Sequence, residues 1–238
     1  MNPVAAWTTP AALGRERRAL IVTLSLAAVA FIALTIVVNR NLGGTSFDTT
    51  VAHWLYDATD NSPGLSGLAR LLDVVGGNLV SVVLVVVMTA VLAARRHRYL
   101  AGYLFVSALG GVLLSTLVKS WVDRPRPPTV GSLITEVTSS FPSGHATSSV
   151  TTYGALALVC VVTLSRGRRW WVAGALALLS LAISVSRVAV GVHWPTDVLG
   201  GWALGTAWTC AAALVVVRLV RSLEDVDGAS DHQGHEHQ

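Results

Sequence analysis

The stretch SRVAVGVHWPTD, residues 186–197, closes one long apolar segment and opens the next. It places Arg187, His193 and Asp197 close together at the edge of the apolar segments. Ionisable residues at such positions are costly and usually functional. One chemistry uses these three residue types together. The arginine binds an anion, the histidine acts as nucleophile or base, and the carboxylate orients the histidine. The stretch therefore predicts one half of a phosphoryl-transfer site.

The composition indicates a membrane protein. The 238 residues are 53% hydrophobic and only 13% charged, and the mean hydropathy is +0.60. Soluble domains carry about 25% charged residues, so this chain has too few charges for a surface that faces water. The formal net charge of +4 does not indicate nucleic-acid binding, because the basic residues form short clusters between apolar segments, as cytoplasmic loops do.

Six apolar segments predict six transmembrane helices, at about 19–38, 78–94, 99–118, 142–165, 170–190 and 197–220. The first segment is long enough to span a bilayer and too long for the apolar region of a signal peptide. In the polar region 39–76, Thr45-Ser46 and Ser62-Pro63 can each start a short amphipathic helix on the membrane surface. A structured loop is the alternative there. The predicted fold is an all-α, polytopic six-helix bundle with a short amphipathic region between the first two spans.

The predicted organisation has three parts. Residues 1–18 form a cytoplasmic N-terminus, residues 19–221 form the transmembrane domain, and residues 222–238 form a polar cytoplasmic tail expected to be disordered. The tail contains His232, His235 and His237, but without packing partners a disordered tail is a better interpretation than a metal site. The small-residue pair Gly201 and Gly205 predicts close packing of the last span inside the bundle rather than dimerisation.

The distribution of basic residues predicts the orientation. Clusters rich in arginine lie at 15–18, 95–98, 166–169 and 218–221, and alternate with loops poorer in Lys and Arg. The positive-inside rule therefore places both termini in the cytoplasm and the loops 119–141 and 191–197 outside. Lys119, Arg124 and Arg126 oppose this rule, so we expect something other than lipid headgroups to hold them.

The outer loops carry the groups that phosphoryl transfer without a metal requires. Lys119, Arg126 and Arg187 supply fixed cations, and the segment 142–145, PSGH, opens a helix whose free N–H groups can bind an anion. Singly, these residues have plain explanations, such as headgroup anchors or helix-terminal charges. Carboxylates are too few and too scattered for a magnesium site, so no metal or other cofactor is expected.

Three motifs carry a family resemblance. Lys119-x6-Arg126-Pro127, then Pro142-Ser143-Gly144-His145, then Ser186-Arg187-x5-His193-x3-Asp197 resemble, in order and spacing, the signature motifs of the type 2 phosphatidic acid phosphatase superfamily. The resemblance extends from about residue 77 onward and includes the six-span layout. One such motif would be weak evidence, whereas three on one membrane face are strong.

The resemblance implies a role for each matching residue. His193 would attack phosphorus and form a phosphohistidine, Asp197 would orient its ring, and His145 would protonate the leaving oxygen and then activate water. The residues that would bind the phosphate are Lys119, Arg126, Ser143, Gly144 and Arg187. Arg124 lies outside the core pattern and is kept as an additional substrate contact.

Together these observations predict a metal-independent lipid phosphatase of the cell membrane with its site on the extracytoplasmic side. Candidate substrates are polyprenyl pyrophosphate, phosphatidic acid and phosphatidylglycerol phosphate. The alternatives are a lipid phosphotransferase and a phosphate or phospholipid transporter that uses the same cationic pocket. A vanadium haloperoxidase shares the motifs, but six spans argue against it. The motif residues carry no information on the lipid, and the oligomeric state and the role of the 39–76 loop are left open.

Overall fold

The computed structural model describes residues 10–128 and 138–235, and these residues form helices and connecting turns without a strand. The helices are α1 (Pro10–Arg40), α2 (Ser46–Asp60), α3 (Pro63–Gly76), α4 (Asn78–Ala94), α5 (Arg98–Trp121), α6 (Gly144–Ser149), α7 (Ala155–Thr163), α8 (Arg166–Ala189) and α9 (Pro195–His235). A π-helical turn, Val150–Gly154, joins α6 to α7. The predicted all-α bundle is confirmed.

Five or six segments of the described chain are long and apolar enough to cross a membrane. Five of them are Glu16–Arg40, Arg98–Trp121, Gly144–Thr163, Arg166–Ala189 and Pro195–Val220. The sixth consists of α3 and α4, which meet at a bend of 46°. Large apolar side chains on these helices point outward, for example Leu26, Leu79 and Leu178, which are 67%, 77% and 65% exposed. Such a surface suits lipid rather than water, and the chain is a multi-pass membrane protein.

The two amphipathic helices begin where the sequence predicts. Thr45 caps α2 through a capping box, in which its hydroxyl accepts from the Asp48 N–H and the Asp48 carboxylate accepts from the Thr45 N–H. Ser62 caps α3 by accepting from the Leu65 N–H, and Pro63 occupies the first helical position. These local signals confirm the helical reading of the 39–76 region.

The last span packs closely on α6 through glycines. A Cβ atom on Gly201 would lie 2.8 Å from the Ala146 Cβ and 2.8 Å from the Ser143 carbonyl oxygen, and one on Gly205 would lie 3.1 Å from the Thr147 carbonyl oxygen. No larger residue fits at Gly201 without moving α6. The predicted packing of this glycine pair inside the bundle is confirmed.

The tail differs from the prediction. Helix α9 continues to His235, so residues 222–235 are helical where the sequence pattern predicts disorder. Residues 222–227 contain neither Pro nor Gly, and extending an existing helix does not carry the cost of nucleating a new one.

The chain order brings the segments that carry the motifs, 119–127, 142–145 and 186–197, to one end of the bundle. Helices α5 and α8 end there, and α6 and α9 begin there. At this end α2 packs against α3, α8 and α9, and α3 packs against α8 and α6. The amphipathic helices therefore form part of the wall around the candidate site.

Candidate active site

His193 and Asp197 form a buried pair at the start of α9. The chain reverses after α8 through Gly191, which has φ = +78°, a conformation that favours glycine. The N–H groups of Val192 and His193 then donate to the Arg187 carbonyl at 3.2 and 3.3 Å. The turn places the His193 Nδ1 3.3 Å from the Asp197 Oδ2. The predicted partnership of these two residues is thus present in the structure.

The Asp197 carboxylate is held by several donors. Its Oδ2 also accepts from the Trp194 N–H at 2.8 Å and from the Ser140 hydroxyl. Its Oδ1 accepts from Arg124. The side chain has no exposed surface. A carboxylate fixed in this way can hold the His193 ring in a single orientation.

His193 is neutral at physiological pH. Its burial lowers the pKa from the ordinary 6.5 to about 3, and the nearby cations Arg126 and Lys119 act in the same direction. Asp197 opposes this shift, but Arg124 already compensates its charge, so the effect of burial prevails. A neutral imidazole keeps one unprotonated nitrogen, whose lone pair can act as a nucleophile.

This lowered pKa predicts a pH-dependent stability. Above about pH 6.5 His193 is neutral in both the folded and the unfolded state, so its titration costs nothing. As the pH falls from 6.5 towards 3, the unfolded state binds a proton that the folded state does not bind, and stability is lost. At pH 4.5 the loss is about 2 to 3 kcal/mol.

The measurement is the thermal unfolding midpoint of detergent-purified protein at pH 7.5 and pH 4.5, read from tryptophan fluorescence. Other groups titrate in both proteins, so the comparison with His193→Gln isolates the histidine. The wild-type midpoint should fall further than that of the variant. Equal decreases would contradict a buried neutral His193.

A carboxylate joins the second histidine to Arg187. The Nε2 of His145, on the first turn of α6, lies 3.3 Å from the Asp73 Oδ1, and Arg187 donates to the same oxygen. The Arg187 side chain is fully buried, whereas Asp73 and His145 are 25% and 19% exposed. Arg187, predicted to bind the phosphate, and His145, predicted to protonate the leaving oxygen, therefore both contact one oxygen of a partly exposed carboxylate.

Lys119 and Arg126 lie on the side of His193. The Arg126 Nη1 donates to the Val192 carbonyl at 2.8 Å and lies 3.3 Å from the His193 Nε2. Lys119 donates to the Ser139 carbonyl, and its Cε lies 3.9 Å from the point that a Cβ on Gly144 would occupy. Both predicted cations are thus beside the histidine and the start of α6.

Ser143 differs in part from its predicted role. The residue is fully buried. Its N–H donates to the Asp197 carbonyl at 3.0 Å, and its hydroxyl accepts from the Ala146 N–H at 3.4 Å as the cap of α6. That backbone N–H is therefore used by the fold rather than offered to a ligand. A phosphate contact by Gly144 or by the Ser143 hydroxyl stays a prediction.

Arg124 corrects a prediction outright. Both terminal nitrogens of its buried guanidinium form ion pairs, one with Asp48 and one with Asp197, so it does not serve as the additional substrate contact expected from its position in the loop. A guanidinium with both terminal nitrogens engaged by buried carboxylates has no fork left for a phosphate.

Four site residues were not predicted: Asp48, Asp73, Ser140 and Thr196. A signal existed for the two carboxylates. Buried arginines need anionic partners, and the predicted outer region 39–76 contains just four acidic residues, Asp48, Asp57, Asp60 and Asp73. Sequence alone does not tell which of the four face the site.

Comparison with known proteins identifies the family. The model of the PAP2 superfamily matches residues 99–221, which include all three motifs and more than half of the chain. The chain is a member of the PAP2 superfamily. This confirms the resemblance carried by the motifs.

Several characterised PAP2 proteins are similar to this chain. Phosphatidylglycerophosphatase B of Bacillus subtilis is 39% identical over 98 residues, which cover 39% of this chain and 46% of that protein. Undecaprenyl-diphosphatase of Sulfolobus acidocaldarius is 32% identical over 125 residues, 50% of this chain and 57% of that protein. Decaprenylphosphoryl-5-phosphoribose phosphatase of Mycobacterium tuberculosis is 33% identical over 147 residues, 60% of this chain and 76% of that protein. The match spans about half the length of the first two relatives.

A solved PAP2 structure shares the fold. The crystal structure of the transmembrane PAP2-type phosphatidylglycerolphosphate phosphatase from Bacillus subtilis superposes with a TM-score of 0.67 at 23% sequence identity, over 85% of this chain and 96% of that one. At this identity the likeness concerns the fold. It agrees with the PAP2 bundle described above.

Proposed function

We propose that this protein is a metal-independent phosphatase that hydrolyses a phosphomonoester or pyrophosphate of a membrane lipid through a phosphohistidine. One observation carries the proposal. At one end of a membrane bundle, a neutral histidine paired with a buried carboxylate lies beside Arg126 and Lys119, and a second histidine shares one Asp73 oxygen with Arg187. The PAP2 membership and the relatives' names support it.

In the first step the His193 Nε2 lone pair attacks phosphorus from the side opposite the leaving oxygen. The phosphorus–oxygen bond breaks, and its electron pair takes a proton from His145, which leaves that imidazole neutral. Asp197 accepts from the His193 Nδ1 and stabilises the positive charge that develops on the ring. Charge on the transferring phosphoryl oxygens is neutralised by the side chains of Lys119, Arg126 and Arg187.

In the second step His145 removes a proton from a water molecule, and the water oxygen attacks phosphorus. The phosphorus–nitrogen bond breaks, its electrons return to the His193 Nε2, and inorganic phosphate leaves. All positive charge in this scheme comes from protein side chains, which is the reason for proposing metal independence. A lipid acceptor in place of water would make the same site a phosphotransferase.

The substrates we propose are polyprenyl pyrophosphate, phosphatidic acid and phosphatidylglycerol phosphate. Relatives named for undecaprenyl diphosphate and for phosphatidylglycerophosphate support this range. The basic clusters at the opposite end of the bundle support a site on the extracytoplasmic side. A lipid headgroup at the outer surface could then reach it from the membrane plane.

The test is phosphate release by purified protein in detergent with excess chelator, using the three lipids as separate substrates. We expect release that chelator does not reduce, with a preference for one lipid. No release from any lipid by folded protein would contradict hydrolysis. Transfer of phosphate to an added lipid alcohol without release of inorganic phosphate would identify the phosphotransferase. With protein in vesicles, movement of the phosphate compound from one face of the membrane to the other, with its ester bond intact, would identify a transporter.

A further inference from the structure

A buried charge network connects the amphipathic helix α2 to the catalytic pair. Arg124 lies in the loop after α5, where its Nη2 donates to the Asp48 Oδ2 at 2.9 Å, and its Nη1 donates to the Asp197 Oδ1 and to the Thr196 hydroxyl, the latter at 2.8 Å. Its Nε donates to the Leu42 carbonyl at 3.4 Å. One guanidinium thus joins the α1–α2 connection, α2 and the start of α9.

Asp48 holds the other side of the network. Besides Arg124 and its own helix cap, it accepts from the Thr196 N–H at 2.9 Å and from the Thr196 hydroxyl at 2.9 Å. Its side chain is fully buried. An acid at the third position of a surface helix is common as a cap, but a cap needs neither full burial nor an arginine from another element.

The network divides the two oxygens of Asp197 between two tasks. Oδ1 accepts from Arg124, while Oδ2 faces the His193 Nδ1 and also accepts from Ser140 and the Trp194 N–H. A carboxylate with one oxygen anchored by a charged planar donor cannot rotate about its axis without breaking that bond. The anchoring of Oδ1 therefore determines where Oδ2 meets the histidine.

The surroundings make the arginine specific. The Arg124 Cζ lies over the Trp194 ring, 5.6 Å from the ring centroid. The Trp194 Nε1 donates to the Pro125 carbonyl at 3.1 Å. A lysine keeps the charge but has no planar fork, so it cannot contact both carboxylates and the ring in the same way. The site therefore depends on the planar, forked guanidinium, which lysine lacks.

We propose that Arg124 and Asp48 are positioning residues of the active site. Arg124 holds Asp197, Asp48 holds Arg124, and Asp197 in turn holds the His193 ring for attack. Helix α2 then contributes one positioning residue, Asp48, which does not need to touch the substrate. This inference rests on the proposed phosphatase function.

The test compares kcat and KM of Arg124→Lys and Asp48→Asn with those of wild type on the preferred lipid. A misplaced nucleophile loses on the order of 100-fold in rate, so we expect kcat to fall by about 10- to 100-fold while KM changes less than about threefold. The matched controls, Arg70→Lys and Asp60→Asn, alter exposed residues and should keep wild-type values. Fluorescence melting shows that each variant is folded, and Asp48→Asn, which keeps size and shape, carries the test if Arg124→Lys does not fold.

A double-variant cycle separates positioning from general damage. If Arg124 acts through Asp197, then Arg124→Lys should add little to the loss already caused by Asp197→Asn. Losses that multiply, or a rise in KM with unchanged kcat, would overturn the proposal. Wild-type protein that releases no phosphate would overturn the function and this inference together, whereas active wild type with wild-type kcat in both variants would overturn this inference alone.

Discussion

His193→Gln is expected to lower phosphate release from the preferred lipid by on the order of 10⁴-fold or more, because the variant lacks the neutral imidazole that Asp197 orients for attack. Glutamine keeps the volume and a polar end group, so the bundle should fold. The measurement is phosphate release at saturating lipid, with thermal unfolding at pH 7.5 as the check on folding.

The matched control is His53→Gln on α2, which changes an exposed histidine and should keep full activity. Wild-type protein quenched during turnover of a substrate with labelled phosphate should carry acid-labile, base-stable label, and His193→Gln should carry none. Label that persists in the variant would show that another residue is the nucleophile. Activity within tenfold of wild type would contradict the phosphohistidine mechanism.

His145→Asn is expected to show a dependence on the leaving group. A lipid alcohol leaves poorly without a proton, so kcat/KM for a lipid phosphomonoester should fall by about 10² to 10⁴. An aryl phosphate such as p-nitrophenyl phosphate leaves as a stable anion, so its kcat/KM should fall by less than about tenfold. The ratio kcat/KM is the proper quantity because it reports the steps up to formation of the phosphoenzyme and excludes its hydrolysis.

The same variant should accumulate phosphoenzyme with the aryl substrate, because His145 also activates water in the second step. A burst of nitrophenol followed by a slow steady rate would show this accumulation. His97→Asn, at the opposite end of the bundle between α4 and α5, serves as the control. Equal losses of kcat/KM on both substrates would assign His145 a role in binding rather than in proton transfer.

Local sequence signals predicted most of the fold. The caps at Thr45 and Ser62 depend on groups three residues away along the chain, and apolar length identifies a span without knowledge of its neighbours. The tail was predicted wrongly from residue 222 because polarity alone does not indicate whether an existing helix stops. Nothing in that segment ends the helix before His235.

The motif residues were placed at one end of the bundle from chain order alone, since α5 and α8 end where α6 and α9 begin. The pair His193 and Asp197 was also predictable, because four residues separate the partners and a single turn brings them together. These features follow from the sequence because they depend on short separations and on the regular reversal of the chain at each membrane face.

The partners of the buried arginines required the folded chain. Arg124 pairs with Asp48 across 76 residues of sequence and Arg187 with Asp73 across 114, and no local pattern identifies these two acids as partners of the arginines. Arg124 is thereby a buried partner of Asp48 and Asp197 rather than the substrate contact that its place in the loop predicts. The packing of α2 and α3 against α8 and α9 determines which carboxylate pairs with each arginine. That packing is a property of the whole bundle.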